Sequence, residues 1–472
     1  MLLYLKIHQF IKGKELLFKN FEWQIEKNES WAIVGNIGTG KTTLLKLIAG
    51  TEYLPLHDGK LILENSLSTN EIEFVSFLDE KKWIVRKDFY YQQRYYTSFT
   101  DEEMKLKDFF ELYTIDKTKY ENIIQLTQKY KLDVLYDVPF IQLSNGQKNK
   151  SILIKSMQLD CKMLLLDNPF VGIDTESRIE IFKLIDEIIS NNKFVIYSTN
   201  YPIFTTSTTH VLELKNQETY NLYLKEDFPK KTNSNKKYAN NRTAIKSKRK
   251  VIELNDVNIS YHEKSILENI NWTVFEAEKW AVLGENGSGK STLLSLLYAD
   301  HPHAYKNNIL LFDEPRNNKS IWEIKSRIGY LSSEFHLHFI EPLNVFQTVA
   351  TGFTDTLYFS NNLSAAQNNK IEECLKIFKI EKLKDRLFLN LSFGEQRLVL
   401  FVRAIIKKPE LLILDEAYQG FDKATIELCN HYLNNILPAS TTLIFTTHYK
   451  EEMPECIDKY LYLEKGKIIM HD

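Results

Sequence analysis

The chain has 472 residues, 43% hydrophobic and 26% charged, with a formal net charge of −2. This composition is ordinary for a globular protein, and near-neutrality excludes a global field that would draw in nucleic acid or a membrane surface. Four scattered cysteines, Cys161, Cys374, Cys429 and Cys456, form no CxxC pair. They point to neither a disulfide framework nor a zinc site, and fit a reducing compartment. No stretch reaches the ~18 consecutive apolar residues of a membrane span. The nearest approach, Leu398 to Leu414, is broken by Arg403, Lys407, Lys408 and Glu410. The opening Met1-Leu-Leu-Tyr-Leu5 meets Lys6 at once and is too short for a signal-peptide core. The expected location is the cytoplasm, with any attachment to the inner face of a membrane made through a partner.

In chain order, Trp31 to Val34 predict a buried strand that runs into Gly35-Asn-Ile-Gly-Thr-Gly-Lys41-Thr42, with a helix over Thr42 to Ile48. A mostly helical stretch follows. Ser144, in Leu143-Ser-Asn-Gly-Gln147, opens another helix, and Met163 to Leu166 and Phe194 to Tyr197 predict two further buried strands. Apolar runs of four or five bounded by polar turns suit parallel strands covered on both faces. The polar stretch Pro229 to Arg242, with Lys246, Lys248, Arg249 and Lys250 after it, has no apolar period. It reads as a flexible, self-repelling linker or as a basic patch for phosphate backbones.

The same order then begins again. The second copy has a strand from Trp280 to Leu283, the loop Gly284-Glu-Asn-Gly-Ser-Gly-Lys290-Ser291, a helix over Ser291 to Leu297, and Leu391-Ser-Phe-Gly-Glu-Gln396. Strands over Leu411 to Leu414 and Thr442 to Phe445 complete it. The loop lysines are 290 − 41 = 249 residues apart, the serines 392 − 144 = 248, and the aspartates closing the apolar runs, Asp167 and Asp415, also 248. Three patterns in one order at nearly one spacing identify a duplicated domain. The predicted division is 1–225, a basic linker 226–250, and 251–472. The fold class is α/β, because strands alternate with helices.

G-x-x-x-x-G-K-[ST] between a strand and a helix is specific. Glycines let backbone N–H groups cradle phosphates, and the helix N-terminus favours anions. Lys41 and Lys290 would reach the outer phosphates, and Thr42 and Ser291 would hold Mg²⁺ together with Asp167 and Asp415. An incidental Gly-rich turn is the other reading, and two copies in strand–loop–helix context oppose it. Leu310-Leu-Phe-Asp-Glu-Pro315 imitates an acidic strand end but breaks the repeat order, so Asp313 and Glu314 are expected at the surface.

On these residues both halves resemble the ATP-binding-cassette superfamily, set apart from other phosphate-loop NTPases by the Leu-Ser-x-Gly-(Glu)-Gln signature before the acidic strand. The resemblance implies two tandem P-loop NTPase domains, each with a mainly parallel core sheet, an antiparallel β subdomain and a helical subdomain. It implies head-to-tail pairing, with each ATP between one half's phosphate loop and the other's signature. The implied ATP-binding residues are Gly35, Asn36, Gly38, Gly40, Lys41, Thr42 and Thr43 in one half, and Gly284, Asn286, Gly287, Gly289, Lys290, Ser291 and Thr292 in the other. The signature residues Ser144, Gly146, Gln147, Ser392, Gly394 and Gln396 join them, with Tyr261 where the family stacks an aromatic on adenine.

The register shows that the halves differ. Glu416 resembles the family's general base and His448 its switch histidine, so Glu416, His448 and Lys290 are the expected catalytic set. The corresponding residues are Asn168 and Asn200, both 248 residues earlier, and Lys12 for Tyr261. An amide cannot take a proton from water as a carboxylate does, so the Lys290 site is expected to hydrolyse and the Lys41 site to hold ATP and turn over slowly. Asn168 positioning water well enough is the alternative. The family's glutamine after the Ile-Gly-Tyr strand is replaced by Ser333 in one half and Phe77 in the other.

The chain is more closely similar to soluble twin-cassette ATPases associated with molybdate transport, through residues 321–333, 391–398 and 412–422. That implies an energising subunit docking on a membrane permease. A ribosome-bound cassette protein is the alternative, disfavoured by the short linker, and a chromosome or repair ATPase lacks its coiled-coil insertion. The aromatic run Trp83 to Phe99 reads as a partner interface, as a base-stacking surface or as packed insertion. His301, His303, His336 and His338 lack further ligands at zinc spacing and are expected to be ordinary surface histidines. Both sandwich sites can form within one chain, so a monomer suffices.

Overall fold

A computed structural model describes residues 1–12, 15–64, 67–77, 104–111, 117–140, 143–216, 218–229, 249–261, 264–298, 301–447 and 449–471. The described residues up to 229 form one compact unit and those from 249 another.

The first unit contains β1 (Leu3–Lys12), β2 (Glu15–Ile25), β3 (Trp31–Gly35), α1 (Lys41–Ile48), β4 (Gly59–Leu63), β5 (Ile72–Ser76), α2 (Leu106–Glu111), α3 (Lys117–Lys129), α4 (Asn145–Met157), β6 (Met163–Asp167), α5 (Thr175–Ser190), β7 (Phe194–Thr199), β8 (His210–Leu214) and β9 (Tyr220–Leu224). Its main sheet has the order β5-β6-β7-β3-β8-β9, parallel except for the last pair. A second, antiparallel sheet has the order β2-β1-β4. All five residues of β6 and of β3 are buried, as strands with helices on both faces require. One apolar cluster packs α2, α3, α4 and α5 against β6 and β7; the other packs α1 between β3 and the antiparallel sheet.

The second unit contains β10 (Lys250–Tyr261), β11 (Lys264–Phe275), β12 (Lys279–Leu283), α6 (Lys290–Leu297), β13 (Asn308–Leu311), β14 (Glu314–Pro315), α7 (Ile321–Ser326), β15 (Ile328–Leu331), α8 (Ser333–His338), α9 (Val345–Ala350), α10 (Ala365–Ile377), α11 (Phe393–Ile405), β16 (Leu411–Asp415), α12 (Lys423–Asn435), β17 (Thr442–Thr446), β18 (Lys459–Glu464) and β19 (Lys467–His471). Its main sheet, β15-β16-β17-β12-β18-β19, repeats the order of the first, and β11-β10-β13-β14 is its antiparallel partner. The predicted strands and helices around both loops lie within one or two residues of these elements. Leu412 lies in the fully buried β16. Leu412→Ala is expected to cost about 2–5 kcal/mol through lost burial and the cavity left behind, read as a lower guanidinium midpoint at unchanged slope.

The imitation strand end is a hairpin. Phe312 and Asp313, at φ 59 and 64, make the two-residue turn between β13 and β14. Asp313 is exposed and Glu314 half-buried. Two expectations about surface residues are corrected. His301 is fully buried and His336 is 6% exposed; His336 lies against the Phe388 and Phe393 rings. Arg403, which breaks the apolar run, is buried as well, and Lys407 is half-buried. Arg403 donates to Thr351 Oγ1 and Thr356 O, and Arg403 and Lys407 share the single carboxylate of Asp355, so each has a partner inside the unit. Among the described residues no helix is long and apolar enough to cross a membrane.

Candidate active site

The chemistry-bearing residues lie at the C-terminal ends of the parallel strands, where open α/β sheets bind ligands. In the first unit β3 leads into the loop Asn36–Gly40, with Gly38 at φ 77. Gly40, at φ 92, caps α1, and a Cβ there would sit 2.7 Å from the Phe18 ring. In the second unit Gly287 is at φ 78, and Gly289, at φ 102, caps α6 with Leu267 Cδ2 2.7 Å from where its Cβ would be. Both conformation and space therefore demand glycine, and the first turn of each helix, with Thr43 and Thr292, turns its N–H groups toward the loop. Lys41 Nζ donates to Gly35 O at 2.6 Å and Asn36 O at 2.9 Å. Lys290 does the same to Gly284 O at 2.7 Å and Glu285 O at 2.8 Å. Each ammonium is thus folded over its own loop, with Asn286 beside Glu285 in the second.

Asp167 closes β6 and is 1% exposed. Thr42 Oγ1 donates to both its oxygens, at 3.0 and 2.9 Å, and Ser198 Oγ donates to Oδ1 at 2.6 Å. Asp415 closes β16 and receives hydrogen bonds from Thr446 Oγ1 at 2.7 Å and from Ser291. Burial pushes both carboxyls above the usual carboxylate range, and the Glu416 charge pushes Asp415 further. A carboxylate and a hydroxyl, both hard oxygen donors, form a donor set suited to a hard divalent cation.

The next residue distinguishes the units. Asn168 and Glu416 both have left-handed backbone, at φ 55 and 48. Their N–H groups donate to equivalent hydroxyls, Ser198 Oγ at 2.9 Å and Thr446 Oγ1 at 2.8 Å. Asparagine tolerates that conformation well; glutamate there carries strain on the order of 1 kcal/mol, which is retained typically where function needs the side chain. Asn168 is 7% exposed, its Nδ2 donates to Asp167 Oδ1 at 3.1 Å, and its buried Oδ1 has no hydrogen-bond partner among the described residues.

The ABC transporter family profile matches residues 18–171 and again 267–419. The chain belongs to the ABC transporter family. An uncharacterized ABC transporter ATP-binding protein of Schizosaccharomyces pombe is 31% identical over 98% of this chain and 98% of its own length. The ABC transporter ATP-binding protein ModF of Escherichia coli is 30% identical over 92% of this chain and 91% of its own. Among solved structures, cbiO1 from Clostridium perfringens, described as part of the ABC transporter complex cbiONQ, is 24% identical over 47% of this chain and 88% of its own, with a TM-score of 0.40. The protein is therefore a tandem-cassette ATPase that binds and hydrolyses ATP.

The signature serines of this ABC ATPase cap α4 and α11. Ser144 Oγ accepts from Gln147 N at 3.3 Å while Gln147 Oε1 accepts from Ser144 N at 3.0 Å; Ser392 and Glu395 make the same reciprocal cap. Gln147 thus corresponds to Glu395, one residue before the Gln396 with which the sequence pairs it. Gln396 faces its own unit. Its Nε2 donates to Phe388 O and Leu391 O, and its Oε1 lies 2.9 Å from His336 Nε2. Gln396 thus has both amide atoms engaged within its own unit, whereas in Gln147 the cap engages Oε1. Gly146 and Gly394 are buried at the second positions of their helices.

Tyr261 closes β10 as Lys12 closes β1, and Lys12 Nζ bonds Glu52 Oε2 at 2.5 Å. His448, the run 83–99 and linker residues 230–248 lie outside the described residues. Asn200 immediately follows β7 and is half-buried. Phe77 is buried in an apolar cluster, whereas Ser333 Oγ donates to Gln419 Oε1 at 2.7 Å. Sequence reasoning missed Arg397. It is fully buried in α11, where its guanidinium meets the Glu416 backbone; an arginine directly after the signature was the available signal.

Proposed function

We propose that the two units pair head to tail around two ATP molecules and that hydrolysis runs mainly on the Lys290 loop. The productive site joins Lys290, Ser291, Asp415, Glu416 and His448 to the Ser144–Gly146 end of α4; Lys41, Thr42 and Asp167 with Ser392 and Gly394 form the slow one. One observation carries this reading: at the same left-handed position after equally buried aspartates, one unit has the carboxylate of Glu416 and the other the amide of Asn168. Thr42 with Asp167, and Ser291 with Asp415, would hold Mg²⁺, whose charge screens the phosphate oxygens. Lys290 draws off phosphate charge, helix N–H groups orient the γ-phosphate, and Glu416 takes the proton from the attacking water. Nucleotide titrations of the full chain test the pairing: two ATP per chain are expected, and one would contradict it.

The work done by this cycle is energising a membrane importer. Support comes from the likeness, over nearly the whole chain, to the ABC transporter ATP-binding protein ModF. Cell fractionation with ATP trapped by Glu416→Gln tests it. The protein is expected to sediment with membranes; sedimentation with ribosomes would replace the importer by a translation role.

A further inference from the structure

We infer that Arg397, five residues after the signature serine Ser392, is a positioning residue that holds the Glu416 carboxylate in its working place. The guanidinium is fully buried, and three of its hydrogen bonds go to the carbonyls of residues 415–417, around the left-handed Glu416. Nη2 donates to Glu416 O at 2.7 Å and to Asp415 O at 3.2 Å, and Nε to Ala417 O at 3.3 Å. Nη1 donates to Ser332 O at 3.0 Å and Nη2 also to Ser333 Oγ at 3.2 Å. One rigid fork therefore ties the left-handed turn carrying Glu416 to the turn that leaves β15, where the family's glutamine is replaced. Its burial holds the guanidinium down at about 10, opposed by the Glu416 and Asp415 charges. A planar cation with several fixed donors can do this; an ammonium has no such geometry.

Among the described residues, the first unit shows no such fork. The residue 397 − 248 = 149 is Asn149, whose Nδ2 donates, among the described residues, to Pro169 O at 3.1 Å. Among the described residues, the fork is present where the base is present, and a single amide hydrogen bond stands in its place where the base is an amide. The inference rests on Glu416 being the base, as proposed above.

The test uses the full chain with Arg397→Met, Arg397→Lys, Ser333→Ala, Glu416→Gln and the double variant Arg397→Met/Glu416→Gln. Misplacing a reacting group by about 1 Å can cost ~100-fold, so Arg397→Met is expected to lower kcat about 10- to 100-fold with KM and binding of a fluorescent ATP analogue within about twofold. Arg397→Lys should recover only part of kcat. In the Glu416→Gln background the Arg397→Met loss should shrink to less than about twofold, since the group being positioned is gone. A loss of the same size in both backgrounds, or a parallel loss of nucleotide affinity, overturns the inference while leaving the base assignment standing. Normal turnover of Glu416→Gln alone instead removes the base assignment, and the inference with it. Should Arg397→Met not fold, Ser333→Ala serves: a several-fold kcat loss that disappears in Glu416→Gln supports the inference, and unchanged kcat overturns it.

Discussion

Glu416→Gln is expected to lower ATP turnover about 10²- to 10⁴-fold, whereas Asn168→Gln leaves turnover within about threefold of wild type. The two residues occupy equivalent backbone positions, each following a buried aspartate and each bonded through its N–H to a strand hydroxyl. What differs is the ability to accept a proton. The Glu416→Gln change keeps size and polarity, so the left-handed turn and the Arg397 contacts to its carbonyl persist. Nucleotide affinity should therefore hold while kcat falls, the signature of an interaction made only in the transition state. Steady-state phosphate release with parallel ATP titrations reads both.

Lys290→Ala is expected to remove about 10²- to 10³-fold of turnover, the scale for losing a preplaced electrostatic donor. Lys41→Ala should cost less than about tenfold in turnover, yet reduce the ATP bound per chain from two to one. The lysines are alike in structure, each folded over two carbonyls of its own loop, so unequal effects must arise from what lies beside them. Equal losses would place productive chemistry on both loops.

Much of this was legible in the chain because the features are local. Strand β16 is five consecutive apolar or terminal acidic residues, all buried, and the glycine loops have a conformation that only glycine supplies at Gly40 and Gly289. The family, the duplicated α/β fold and the loss of a carboxylate at Asn168 could be read at a fixed offset. The burial of His301, His336 and Arg403 could not be read, because polar residues are ordinarily exposed and their burial depends on distant carbonyls and rings that sequence does not bring together. Gln396 was misread for a related reason. Identity of letters paired it with Gln147, but the register is set by the caps, which align Gln147 with Glu395. Arg397 escaped notice because four of its acceptors are backbone oxygens, which carry no residue signal.

Rapid-quench analysis of the nucleotides retained per chain, sampled during the first turnover with Mg²⁺ and ATP, tests the inequality of the two cassettes most directly. The expected pattern is one ADP formed quickly while one ATP stays intact, with neither lost in Glu416→Gln. Two ADP appearing with a single rate constant would contradict it.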